Sequence, residues 1–197
     1  MTYTPRLQAQ IGAGTRVPGA TRGSLDCGVR ATSVGVDRLT HGEKIPKVPE
    51  MRHRMGTPGP QPTSILDAKK GVESYRRLRG RRPLRFLVRW TTEGLRQAIG
   101  NGRAADVAVH YGVWNRLMLR TGDPNFSGGH SFDIMGQRFR KGKVWWLLID
   151  SLDDGRRSGI AVGPRWVPRW KVIAAAEAFA GGDGRVQSGI FAGGQRR

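Results

Sequence analysis

The stretch Gly128-Gly129-His130-Ser131-Phe132-Asp133-Ile134-Met135-Gly136, with Val144-Trp145-Trp146-Leu147-Leu148-Ile149-Asp150 shortly after it, constrains this chain more than any other. Both runs read as apolar strands, and the basic segment Arg138 to Lys143 reads as the turn that joins them. An antiparallel hairpin lays the start of one strand beside the end of the other, so His130 and Asp150 become neighbours. Whether they share a face depends on parity, because side chains alternate along a strand. Their numbers sum to an even value, so a loop with an odd number of residues, such as Phe139 to Lys141, puts both on one face. A strict two-residue turn at Lys141-Gly142 would instead match His130 with Asp153. The odd-length loop is the expectation.

The one cysteine, Cys27, lies far upstream in Ser24-Leu25-Asp26-Cys27-Gly28-Val29-Arg30-Ala31-Thr32, which reads as a turn opening into a helix. A lone cysteine is most often a small buried hydrophobe. At a helix start, though, the positive end of the helix dipole lies beside the sulfur and favours the thiolate, the form that attacks carbonyls. An imidazolium nearby lowers the thiol pKa further, and a carboxylate on the far side of the ring holds it in one tautomer. The other candidates are weaker. His110 sits in a strand with no aspartate after it, and His41 and His53 fall in polar loops. Asp133, Asp153 and Asp154 compete with Asp150, the last two as turn residues before Gly155. Four scattered histidines and one cysteine show no metal-ligand spacing, so neither a metal nor another cofactor is expected.

Taken in order, residues 1–23 form a Gly- and Pro-punctuated arm without periodicity. A helix is expected over Gly28 to Leu39, stopped near Gly42. The proline-rich segment Lys44 to Thr63 reads as a loop. Ser64 or Thr63 then caps a helix to about Leu78, with Ile65, Leu66, Val72 and Tyr75 as its buried stripe. Leu84 to Trp90 alternates as a half-buried strand with Leu84, Phe86, Val88 and Trp90 inward. A short helix from Glu93 to Ile99, a strand from Ala104 to Tyr111 and a loop from Gly112 to Gly129 lead into the hairpin. A helix from Lys171 to Ala180 and a Gly-rich basic tail, residues 181–197, close the chain. The order is that of an α+β fold in one domain, residues 24–180, with an N-terminal Cys-bearing helix packed on a small antiparallel sheet.

Asp26-Cys27-Gly28 at a helix start, a strand–helix–Asn101-Gly102-Arg103–strand unit, Gly128-Gly129-His130 opening an apolar strand, and a strand ending in Ile149-Asp150-Ser151 together resemble the papain-like cysteine peptidases, and within them the C39-like branch. The resemblance spans roughly Ser24 to Asp150. It implies a thiol hydrolase acting on a peptide or amide bond, with Cys27 as nucleophile, His130 as general base, Asp150 as orienting carboxylate and a peptide or protein as substrate. One departure stands out. Enzymes of this kind carry a Gln just before the cysteine as an oxyanion donor, and Ala20 to Leu25 holds none. Gln8 and Gln10 are the only candidates upstream, and loss of such a donor costs about 10²–10³ in turnover. The alternative is a peptidase-fold protein whose triad is idle and whose role is structural.

Composition bears on partners. The net charge of +19 calls for an anionic partner or a tolerated repulsive surface. Eleven Lys and Arg fall between Lys69 and Arg103 (69, 70, 76, 77, 79, 81, 82, 85, 89, 96 and 103) against Glu73 and Glu93 alone. Such a cluster suits acidic structural proteins or nucleic acid, although no nucleic-acid module signature accompanies it. No apolar run is long enough to span a membrane, and the N-terminus lacks the apolar core of a signal peptide. Small size, basic charge and a peptidase-like pattern are similar to proteins of tailed-phage virions, which implies a virion or host-cytoplasm location.

Overall fold

A computed structural model of the chain describes residues 26–44, 46–59, 61–75, 82–119, 128–150, 164–182 and 184–194. Helix α1 (Cys27–Leu39) comes first, followed by α2 (Val48–Met55) and α3 (Ile65–Glu73). Strand β1 (Arg85–Thr91), α4 (Thr92–Gly100), β2 (Ala105–His110) and α5 (Tyr111–Leu117) lead to the hairpin β3 (Gly129–Arg140) and β4 (Lys143–Ile149). Strand β5 (Arg165–Pro168), α6 (Arg169–Ala180) and β6 (Arg185–Ala192) complete the order. The six strands form one antiparallel sheet in the order β1-β6-β2-β3-β4-β5. The architecture is therefore α+β, and among the described residues no helix is long and apolar enough to cross a membrane.

The sheet is covered on both faces. On one side α1 to α3 bury Val29, Val36, Met51, Met55, Ile65 and Val72 against Phe86, Met135, Ile149 and Phe191. On the other, α4 to α6 bury Leu95, Ile99, Trp114, Val172 and Ala176 against Val107, Phe132, Ile134, Trp146 and Ile190. Helix α1 can lie this close to the sheet because it is built from small residues. A side chain at Gly35 would strike the ring of Phe191, and the hydroxyls of Thr32 and Ser33 fold back onto the carbonyls of Gly28 (2.8 Å) and Val29 (3.0 Å).

Several sequence expectations need correction. The segment 181–197 is not a tail: Arg185–Ala192 is an interior strand, paired with β1 on one side and β2 on the other. Its glycines disguise it, yet Gly189 is needed there because the Phe86 ring occupies the space of a side chain. Helix α2 lies within the expected Lys44–Thr63 loop, its proline at the first turn where no N–H is required. Helix α5 occupies the start of the expected Gly112–Gly129 loop, and β5 adds an edge strand. Trp90 is 51% and Leu66 also 51% exposed. The inward pattern of β1 holds for Phe86 and fades where the strand shifts register near Thr91. Of the expected α3 stripe Ile65, Val72 and Tyr75 are buried, while Ala68 and Gly71 take the place expected of Leu66. The helix ends at Glu73 with Ser74 as its C-cap, short of the expected Leu78, and residues 1–23 lie outside the described residues.

Candidate active site

The hairpin turn is Lys141-Gly142, with Arg140 paired to Lys143 and positive φ at both turn residues, 48° and 71°. The odd-length loop is thus not what forms. A two-residue turn with left-handed central residues matches the twist of the strands, and Gly142 suits it. Left alone, this register would carry Asp150 to the face opposite His130. A bulge intervenes: Ile134 pairs with Leu148 but Gly136 with Leu147, leaving Met135 as the extra residue. The bulge restores the parity. Ile149 lies opposite Asp133, so Asp150 falls on the Phe132 side, the same side as His130.

The structure brings these two together. Nε2 of His130 lies 2.7 Å from Oδ1 of Asp150, and both side chains are buried. The second carboxylate oxygen accepts from the indole N–H of Trp114 at 2.8 Å, and Arg165 stands 4.0 Å away. The Trp114 ring packs on Phe132 at 4.6 Å, and Phe132 in turn lies against the His130 ring at 5.9 Å. Gly129 precedes His130 because the Phe179 ring of α6 leaves no room for a Cβ. Trp114 was hidden from sequence reasoning because its segment reads as a loop. The signal was present in His110 followed by Val113, Trp114 and Leu117, a cap and a helical apolar face.

Cys27 is the first residue of α1, at the end of the sheet where β3 begins. Its thiol lies where the ring of His130 and the backbone N–H groups of Ser131 and Gly28 favour the charged form. With Nε2 committed to Asp150, Nδ1 is the ring nitrogen left for the sulfur. Burial pushes the Cys27 thiol up, but the hydrogen bond and charge of His130, helped by the two N–H groups, bring it below its ordinary value. Burial would likewise lower His130, yet the adjoining carboxylate of Asp150, its hydrogen bond and the Cys27 thiol raise it to about 10. Each group thus favours the charged form of the other. Cys27 as a residue is partly exposed.

A buried ion pair holds the start of α1. Asp26 occupies the N-cap position without capping the helix, because its carboxylate is taken by Arg52 of α2 at 2.8 Å and 2.6 Å. Nη1 of the same guanidinium donates to the carbonyls of Thr57 (3.2 Å), Gly59 (2.6 Å) and Gln61 (3.3 Å). One arginine thus ties the residue before Cys27 to the segment leading to Thr63. Thr63 stands so close to Gly28 that any side chain at 28 would meet its hydroxyl. Each of the three nitrogens of the buried guanidinium thus has an acceptor, which makes such a group tolerable.

The other candidates have different duties. His110 caps α5, accepting from the Val113 N–H at 3.4 Å. His41 and His53 are exposed. Asp133 lies on the opposite face of β3 from His130, paired with Asp106 of β2. These two carboxyls are 0% and 1% exposed, and Asp106 Oδ1 and both oxygens of Asp133 have no hydrogen-bond partner among the described residues. Burial raises Asp106 well above the usual range, aided by Cys27 and opposed by His130; burial and Asp106 raise Asp133, opposed by Arg38. Asp153, Asp154, Gln8 and Gln10 lie outside the described residues. Among the described residues no group of His, Cys, Asp and Glu could hold a metal ion.

No protein-family model and no curated protein matches this chain.

Proposed function

We propose that the chain is a thiol hydrolase of the papain-like, C39-like type, acting on a peptide or other amide bond through Cys27, His130 and Asp150. The observation that carries this reading is the 2.7 Å contact of His130 Nε2 with Asp150, in a ring that also holds the thiol at the N-terminus of α1. The thiolate attacks the carbonyl carbon, and the electron pair of the C=O bond moves to oxygen. The backbone N–H of Cys27, at the positive end of the helix, is a donor for that oxyanion. As the C–N bond breaks, the imidazolium gives its proton to the departing amine, leaving a thioester on Cys27 and a neutral imidazole. That imidazole then takes a proton from water, whose oxygen attacks the thioester. Collapse releases the acid and returns the thiolate and imidazolium. Asp150, oriented by Trp114, fixes the ring and stabilises its charge through each step.

An activated acyl ester such as p-nitrophenyl acetate tests this reading. Acyl transfer to Cys27, seen as a mass increase on its peptide, should accompany turnover, and Cys27→Ser should abolish both. A wild-type protein in which Cys27 stays unacylated would remove the hydrolase reading and leave the idle-fold alternative.

A further inference from the structure

Helix α1 runs from Cys27 to Leu39, and its far end opens on a second feature, roughly 16 Å along the helix from the thiol. There the start of β1, the end of β6 and the turn before β2 enclose a surface cavity of about 470 Å³. Arg38, Arg82, Arg85 and Arg103 line it, over an apolar floor that includes Ala104 and Phe191, and no carboxylate is in the lining. Arg38 is partly committed, donating to the Met135 carbonyl at 2.7 Å. Arg82, Arg85 and Arg103 are exposed. Glu73, whose charge reaches Arg85, is already engaged by Lys69 and the Phe86 N–H. Of the other basic residues described in this region, Lys69 pairs with Glu73 and Lys70 with Asp67, while Arg89 and Arg96 border no such cavity. The positive charge that the sequence concentrates between Lys69 and Arg103 is thus unneutralised where it borders a concavity.

We propose that this cavity binds a small phosphate-bearing molecule, its phosphates on Arg82, Arg85 and Arg103 and an apolar or planar body over Ala104 and Phe191. Guanidinium groups present planar forks that match phosphate oxygens two at a time. Three of them around one concavity fit a ligand with more than one negative charge. The volume lies in the range of ligand sites, about 300–1,000 Å³, which is more than a single phosphate fills, and the mixed apolar and cationic lining suits a nucleotide better than an inorganic ion. This inference does not rest on the hydrolase reading, since the site is at the other end of α1.

Isothermal titration with pyrophosphate, a nucleoside diphosphate and a single-stranded oligonucleotide tests it on the whole chain. Pyrophosphate and the nucleoside diphosphate should bind at one site, the nucleotide more tightly. The pair of changes Arg85→Gln and Arg103→Gln should weaken both by about tenfold per arginine, the size of a charge-assisted hydrogen bond. The same loss of charge at the hairpin, Arg140→Gln with Lys143→Gln, should leave binding unchanged. Equal weakening by both pairs would mean a diffuse positive field and no site. Binding of the oligonucleotide alone would place the phosphate specificity in a nucleic-acid backbone, and either result overturns the small-molecule proposal. Since heat of binding is the readout, an inert Cys27 does not affect the outcome.

Discussion

His130 with Asp150 and Asp106 with Asp133 are two buried pairs that share strand β3, one pair on each of its faces, and their members act on each other's charge in opposite senses. In the first, a base meets an acid at 2.7 Å, and the remaining carboxylate oxygen is satisfied by Trp114. In the second, two acids face each other across β2 and β3 with three of their four oxygens unpartnered among the described residues. Burial penalises charge in both. The complementary pair favours the charged imidazole against that penalty, whereas in the like pair burial and neighbouring negative charge both push the carboxyls up. The difference matters at Cys27, which Asp106 and His130 both approach. A protonated Asp106 leaves the thiolate facing only the imidazolium, while an ionised one would repel it.

The largest expected effect comes from breaking the complementary pair. Asp150→Ala leaves His130 and the Trp114 N–H buried without their acceptor, and should lower unfolding free energy by about 3–5 kcal/mol, the usual cost of removing one partner of a buried pair. Urea midpoints would show it. Asp150→Asn, which keeps an oxygen for Trp114, should lose less. The pH dependence carries a sign as well. His130 titrates in the folded state at about 10, above the ordinary imidazole value, so its contribution to stability is complete below that ordinary value. The contribution is lost as pH rises through about 10, and Asp150→Ala should shrink this dependence to what Cys27 alone sustains.

The like pair responds in the opposite sense. Carboxyls held protonated in the folded state, but ionised when unfolded, bind more protons in the native chain. They therefore make stability fall as pH rises above the ordinary carboxyl range. Asp106→Asn with Asp133→Asn should remove that fall, so that urea midpoints at mildly acidic and neutral pH converge. A double variant that keeps the wild-type slope would show that the pair is ionised after all. Groups facing the pair are Cys27, His130 and Arg38, all retained in the variant.

How much of this was legible beforehand follows from which residues carry local signals. The Cys27 helix, the His strand and the Asp-ended strand announce themselves by apolar runs and by their bounding residues, and Ser64, one of two expected caps, accepts from the Asp67 N–H. The turn and the bulge do not announce themselves singly. The expected odd-length loop was the wrong turn for the right pairing: the chain turns at Lys141-Gly142, and Met135, an ordinary apolar residue in an apolar strand, supplies the extra residue. Strand β6 was missed because glycine content reads as loop, though the glycine is required by a facing ring. Trp114 and Arg52 act through contacts 36 and 26 residues away in sequence, and no local pattern encodes such a partner.

The smallest expected effect tests the turn on which that register depends. Lys141 holds a left-handed backbone at φ 48°, where asparagine is better accommodated. Lys141→Asn should raise stability by about 0.5 kcal/mol and leave Cys27 chemistry unchanged, since the bulge and not the turn sequence decides the face of Asp150.

The central claim is that His130 keeps Cys27 as a thiolate. Its most direct measurement is the rate of Cys27 alkylation by iodoacetamide from mildly acidic to alkaline pH, in the wild type and in His130→Ala. The wild type should reach its plateau well below the ordinary thiol range. In His130→Ala the burial that opposes ionisation persists while its counterweight is gone, so the inflection should move above that range and the neutral-pH rate should fall about a hundredfold. Superimposable profiles for the two proteins would contradict the ion pair and, with it, the chemistry assigned to this site.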